Sequence, residues 1–120
     1  MELIPLVDLK KQYQLIKTEI DQAMSEVIEK TAFIQGHYVK TFETEFAEMM
    51  GVRHCISCAN GTDAIYITLK ALGIGLGDEV ITVANTWIST SEAISQTGAT
   101  PIFIDCESEF YTIDVTKIES

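Results

Sequence analysis

The richest chemistry in this sequence lies in Cys55-Ile56-Ser57-Cys58-Ala59-Asn60-Gly61-Thr62-Asp63-Ala64-Ile65. The stretch predicts a short apolar strand, His54 to Cys58, then a tight Asn-Gly turn, then a helix from Thr62 to Leu72. The first N–H groups of a helix have no partner inside it, and the helix dipole places partial positive charge at that end. Gly61 lets the backbone come close to a ligand, and Thr62 adds a hydroxyl. The chemistry favoured is the holding of an anion, a phosphate above all. Two plainer uses compete. Asn60 or Thr62 could be an ordinary helix cap, and Asn-Gly is the common type I′ hairpin turn. Ile65, Leu69 and Leu72 continue at helical spacing, which excludes the hairpin. The cap and the phosphate seat remain open.

Trp87 is the single tryptophan and follows Asn85-Thr86. A core or interface position is the commoner use of such a ring. Its place just beyond a strand end favours the alternative, a flat surface for a planar cofactor ring across the same crevice as Gly61 and Thr62. Cys55-x-x-Cys58 resembles a metal or redox pair. On a strand, residues three apart point to opposite faces, and no second cysteine pair completes a zinc site. No metal is expected. The run Gly73-x-Gly75-x-Gly77 lacks the G-x-G-x-x-G spacing and precedes a strand, so it reads as loop punctuation. His37 and His54 have no Ser, Cys or Asp partner at an informative spacing, and no role falls to them.

The elements that must position these residues follow in order. Residues 1–8 read as an extended apolar arm containing Pro5, lying across another surface. Leu9, Tyr13, Ile16, Ile20, Met24 and Val27 repeat at helical steps, with Asp8 as the N-cap. Glu19, Glu26 and Glu29 form a solvated face. A loop holds Phe33, Ile34 and Gly36. A second helix carries Val39, Phe42, Phe46 and Met49 on one face, read as core, and Gly51 stops it. From residue 53 the pattern becomes strand, helix, strand, helix, strand: His54–Cys58, Thr62–Leu72, Glu79–Val83, about 88–97 ended by Gly98, and Ile102–Ile104 after Pro101. Such alternation implies parallel pairing with right-handed crossovers, and ligands bind beyond the carboxyl ends of such strands. Val115 to Ile118 reads as the start of a further helix, so the chain is expected to be the front part of a longer protein.

Eighteen acidic residues against eight basic ones give a net charge of −10. That field repels phosphate backbones and anionic lipid, so nucleic acid and membrane surfaces are not expected partners. A bound phosphate must then be held by local backbone dipoles. No apolar run approaches the ~20 residues that cross a bilayer. Met1-Glu2-Leu3-Ile4-Pro5 lacks a basic stretch followed by an apolar one, so no signal peptide is expected. Three cysteines are then expected as reduced thiols in a cytoplasmic protein. A chain of 120 residues suits one domain, burying roughly two-thirds of its unfolded surface.

Several segments together resemble the front third of a pyridoxal-phosphate nucleotide-sugar aminotransferase of the DegT/DnrJ type. They are Ile4-Pro5-Leu6-Val7-Asp8-Leu9-Lys10, Phe42-Glu43-Thr44-Glu45-Phe46-Ala47, the Cys55–Ala64 block, Gly75-Leu76-Gly77-Asp78-Glu79-Val80-Ile81 and Pro101-Ile102-Phe103-Ile104-Asp105. The resemblance implies an α/β fold, the PLP fold type I large domain, with a mixed, mostly parallel sheet flanked by helices and here incomplete. Residues 1–52 would form an N-terminal arm and helices, and 53–120 the start of the cofactor-binding domain. It implies pyridoxal 5′-phosphate as cofactor, with Gly61 and Thr62 on its phosphate and Trp87 stacked on its pyridine ring, where the family commonly has a smaller aromatic. It also implies a homodimer with active sites at the subunit interface, and amino transfer from glutamate to a nucleotide-linked keto sugar.

The family's Schiff-base lysine and its pyridinium-pairing carboxylate fall later than residue 120. Lysines stand here at 10, 11, 17, 30, 40, 70 and 117, none in a strand-end loop beside Gly61 or Trp87. No catalytic residue is therefore assigned, and the 120 residues alone are expected to be inactive. Two alternatives stay open: a PLP-dependent sugar dehydratase, in which histidine replaces that lysine, and a non-catalytic interaction or regulatory protein of the same fold.

Overall fold

The computed structural model describes residues 4–119, which fall into two compact units, 1–57 and 58–120. The first three residues of the expected N-terminal arm lie outside the described residues. Ile4, Leu6 and Val7 are exposed in this chain.

In the first unit, helix α1 spans Leu9–Glu29. Asp8 caps it as its sequence position predicts, accepting from the Lys11 N–H at 2.9 Å. Further along the helix, Asp21 pairs with Lys17 and accepts from the Tyr13 hydroxyl at 2.7 Å. Helix α2 spans His37–Met49. The Tyr38 hydroxyl donates to Glu26 at 3.0 Å and accepts from Lys30 at 2.8 Å, which ties the start of α2 to the end of α1. Gly51 follows α2 with φ +65, the left-handed stop expected of it.

Two expectations for this unit are corrected. The α2 stripe is present, and the Phe42 and Phe46 rings lie 5.5 Å apart. It is not core, however, because Phe42, Phe46 and Met49 are exposed and only Ala47 on this helix is buried. Helical spacing shows which residues share a face; it does not supply the surface that would cover them. Residues 54–58 are extended but belong to no strand. A strand exists through its ladder of interstrand bonds, and among the described residues none runs alongside this segment. Its fixed point is a side chain: Glu43 accepts from both the backbone and the hydroxyl of Ser57.

In the second unit, helix α3 spans Gly61–Ala71, strand β1 Glu79–Val83, helix α4 Ser89–Thr97 and strand β2 Thr100–Ile104. β1 and β2 pair in parallel, in register from Glu79↔Thr100 to Val83↔Ile104, with α4 as the crossover between them. α4 packs on both strands and on α3. The buried apolar residues of this unit are Ala93, Ile94 and Ala99. Ile94 is the largest fully buried side chain, and burial of such a side chain contributes about 1.5–3 kcal/mol. Thr97 is buried with its hydroxyl satisfied, donating to the Ile94 carbonyl at 2.7 Å and accepting from the Ala99 N–H at 3.2 Å.

The glycines between α3 and β1 act as punctuation. Gly73 and Gly77 have φ +81 and +93, and the Asp78 carboxylate closes the loop on the Gly75 N–H at 2.8 Å. Gly98 ends α4 with φ +94. Beyond β2, Glu107 organises a turn by accepting from the N–H groups of Glu109 and Phe110 at 2.7 and 2.6 Å. The expected helix after it is one 3₁₀ turn, Val115–Lys117, capped by Asp114. Among the described residues no helix is long and apolar enough to cross a membrane.

Candidate functional site

The start of α3 is built by Asn60. Its side-chain oxygen accepts from the Asp63 N–H at 2.9 Å, and its amide donates to the Asp63 carboxylate at 3.0 Å. The capping use of Asn60 is thus realised. It occupies one of the orphan N–H groups of the first turn, and those of Gly61 and Thr62 have no partner within the helix. It also engages Asp63, the one acidic side chain in this turn, through an amide donor. At Gly61 an added Cβ would meet nothing within 4 Å, so the backbone here fronts open space.

The segment after β1 brings the second half. β1 ends at Val83, and residues 84–88 turn into α4 without a side-chain cap on its N-terminus. The Thr90 N–H bonds the Trp87 carbonyl at 3.1 Å, which fixes the turn that presents the indole. Trp87 is 78% exposed in this chain, so its ring is not packed in the core of the described residues and a face is available. Gly61, Thr62, Ile65, Trp87, Ser89 and Thr90 line one cavity of about 370 Å³. All three residues singled out from the sequence, Gly61, Thr62 and Trp87, therefore border the same space. It is held between the start of α3 and the start of α4, beyond the carboxyl end of β1.

Ser89 is the residue that sequence reasoning passed over. Its hydroxyl accepts from the Thr62 hydroxyl at 2.9 Å, joining the two helix starts directly. The available signal was a hydroxyl residue in the first helical turn after a strand end, two positions beyond Trp87. None of the seven lysines of the chain lines this cavity. Lys70 lies in the last turn of α3, at the end opposite Gly61. Cys55, Cys58 and Cys106 are free thiols, and Cys58 donates to the Asn60 carbonyl at 3.4 Å. Among the described residues no group of three or more His, Cys, Asp or Glu side chains could hold a metal ion.

The donor set suits a phosphorylated planar ligand. Two helix starts, one hydroxyl of the Thr62–Ser89 pair and an open glycine backbone can face an anion, and an exposed indole can face a ring. No lysine or arginine lines this cavity, so positive potential here comes from the helix dipoles.

Comparison with known proteins gives the family. Residues 14–120 match the DegT/DnrJ/EryC1/StrS aminotransferase family. The chain is 44% identical over 117 residues to the dTDP-3-amino-3,6-dideoxy-alpha-D-galactopyranose transaminase of Aneurinibacillus thermoaerophilus, covering 98% of this chain and 32% of that protein. It is 42% identical, with the same coverage, to a pleiotropic regulatory protein of Geobacillus stearothermophilus. Its fold matches the crystal structure of NtdA from Bacillus subtilis with bound cofactor PMP, at a TM-score of 0.91 and 33% identity, over 99% of this chain and 28% of that one. The chain thus spans about a third of the length of the curated relatives it matches. With the family's sequence pattern running from residue 14 to the end of the sequence, and its fold reproduced at this similarity, the chain belongs to the DegT/DnrJ/EryC1/StrS aminotransferase family.

Proposed function

We propose that this chain supplies the phosphate-holding and ring-facing part of the pyridoxal 5′-phosphate site of a nucleotide-sugar aminotransferase. The observation that carries the reading is the shared cavity of Gly61, Thr62 and Trp87. Gly61 and Thr62 hold the cofactor phosphate through their N–H groups at the start of α3, and the indole of Trp87 covers the pyridine ring. The cofactor supplies an electron sink; the protein orients it. Residues 53–120 begin the cofactor-binding domain and residues 1–52 form the arm and helices that precede it. The whole protein acts in the cytoplasm as a homodimer. It takes an amino group from glutamate and passes it to a nucleotide-linked keto sugar; amino transfer on a nucleotide-linked sugar is what the transaminase name of the Aneurinibacillus relative supports.

The name of the Geobacillus relative favours a second reading, a regulatory member of the family that keeps the cavity without amino transfer. One titration tests the cofactor seat that both readings share. Pyridoxamine 5′-phosphate carries the ring and phosphate but, being an amine, does not condense with surface lysines. It is added to the 120-residue chain while the emission of Trp87, the single tryptophan, is followed. Saturable quenching by the phosphorylated ligand, far weaker with pyridoxamine, is expected. Equal response to the two ligands rejects the phosphate seat.

A further inference from the structure

The hydroxyls of Thr62 and Ser89 have only two protons between them, and one is already committed. Thr62 Oγ1 donates to Ser89 Oγ at 2.9 Å. Each hydroxyl has a single proton and two lone pairs. With its proton given to Ser89, Thr62 offers the cavity lone pairs only. A phosphate dianion needs donors. The remaining hydroxyl proton of the pair belongs to Ser89, which stands on the cavity wall beside Thr62 and Trp87.

We propose that Ser89 is a phosphate-binding residue of this cavity, its hydroxyl serving as the outward donor of a Thr62–Ser89 relay in which Thr62 positions and polarises it. The inference rests on reading the cavity as a phosphate seat. Three features support it beyond the single bond. Ser89 opens α4, a helix whose N-terminus has no side-chain cap, so the positive end of a second helix dipole stands behind the donor. Ser89 is itself half-buried, so its hydroxyl competes less with bulk water than an exposed one would. The hydroxyl of Thr90, its neighbour, is engaged with Thr86 at 3.2 Å, which leaves Ser89 as the hydroxyl facing Thr62.

The relay has a signature that independent residues lack. Removing Thr62 alone leaves the Ser89 proton in place, and removing Ser89 alone releases the Thr62 proton. Each single change is partly compensated, and the double change is not. The decisive comparison is therefore Ser89→Ala made in a Thr62→Ala background, read by quenching of Trp87 with pyridoxamine 5′-phosphate and, separately, with pyridoxamine. Expected is a loss of about tenfold or more in affinity for the phosphorylated ligand, the effect of one hydrogen bond to a charged group. No change is expected for pyridoxamine, and Ser89→Thr in the same background, which keeps the hydroxyl, restores the affinity. If the unsubstituted chain does not prefer the phosphorylated ligand, the seat and this inference both fall. If it does, and Ser89→Ala changes nothing or weakens both ligands equally, Ser89 is no phosphate ligand and the inference alone is overturned.

Discussion

One carboxylate oxygen of Glu43 accepts both the N–H and the hydroxyl of Ser57, at 2.9 and 2.7 Å. This pair does for residues 54–58 what a neighbouring strand would otherwise do, since it anchors an extended segment that has no ladder. Both bonds favour the charged carboxylate. The Ser57 N–H foremost, and then its hydroxyl, hold the Glu43 carboxyl below the usual glutamate range. Because the folded value is the lower one, the contribution is fully present above the unfolded glutamate value and is lost as pH falls through the folded one. A carbon-detected NMR titration should place the Glu43 midpoint below that of exposed glutamates, with the Ser57 amide resonance moving at the same pH. Glu43→Gln should remove that coupled shift. A midpoint at the ordinary value would show the anchor to be absent.

The same segment shows why the sequence was only partly legible. Helices α1 to α4 could be placed because their signals are local. Asp8 and Asn60 cap within three residues, Gly51 and Gly98 stop the chain by φ, and the Leu9–Val27 spacing repeats along one stretch. What eluded the reading depends on partners distant in sequence. An apolar run such as His54–Cys58 becomes a strand only beside another strand, and the Phe42–Met49 stripe becomes core only beneath a covering surface. Ser89 was missed for the same reason. Alone it is an ordinary residue of a first helical turn; its meaning comes from Thr62, 27 positions earlier.

Gly98 separates conformational from steric cost. Its φ is +94, and an added Cβ would meet the Leu76 backbone nitrogen at 3.3 Å. Gly77 has φ +93 and nothing within 4 Å. Gly77→Ala should therefore lose only the left-handed penalty, about 1–2 kcal/mol, whereas Gly98→Ala should lose that and the contact besides. Urea unfolding of the two variants should give a lower midpoint for Gly98→Ala. Equal midpoints would mean that the Leu76 backbone yields freely.

Gly61 should behave in the opposite way. An alanine Cβ there meets nothing within 4 Å and requires no left-handed φ, so the fold has no objection to Gly61→Ala. Helical alanine is favoured over glycine by roughly 0.5–1 kcal/mol, and the melting temperature should stay level or rise. The added methyl, however, would stand at the wall of the cavity that Gly61 lines, beside the first-turn amides proposed to hold the phosphate. Quenching of Trp87 by pyridoxamine 5′-phosphate should weaken by about tenfold, or ~1.4 kcal/mol, while stability is kept. A variant that binds as the unsubstituted chain does would place the phosphate elsewhere.

The lysines make the last expectation. Transamination through pyridoxal phosphate needs an amine on the protein within reach of the cofactor, yet the cavity of Gly61, Thr62 and Trp87 has none on its wall. Lys70 sits at the far end of α3, and Lys117 pairs with Asp105 at 3.3 Å. The 120-residue chain incubated with pyridoxal 5′-phosphate, glutamate and a nucleotide-linked keto sugar should therefore show no turnover. Borohydride treatment followed by peptide mapping should find any label scattered over surface lysines, with no single site dominant. Turnover, or one lysine labelled stoichiometrically, would mean that this chain carries its own Schiff-base residue and that the cavity is arranged differently around its ligand.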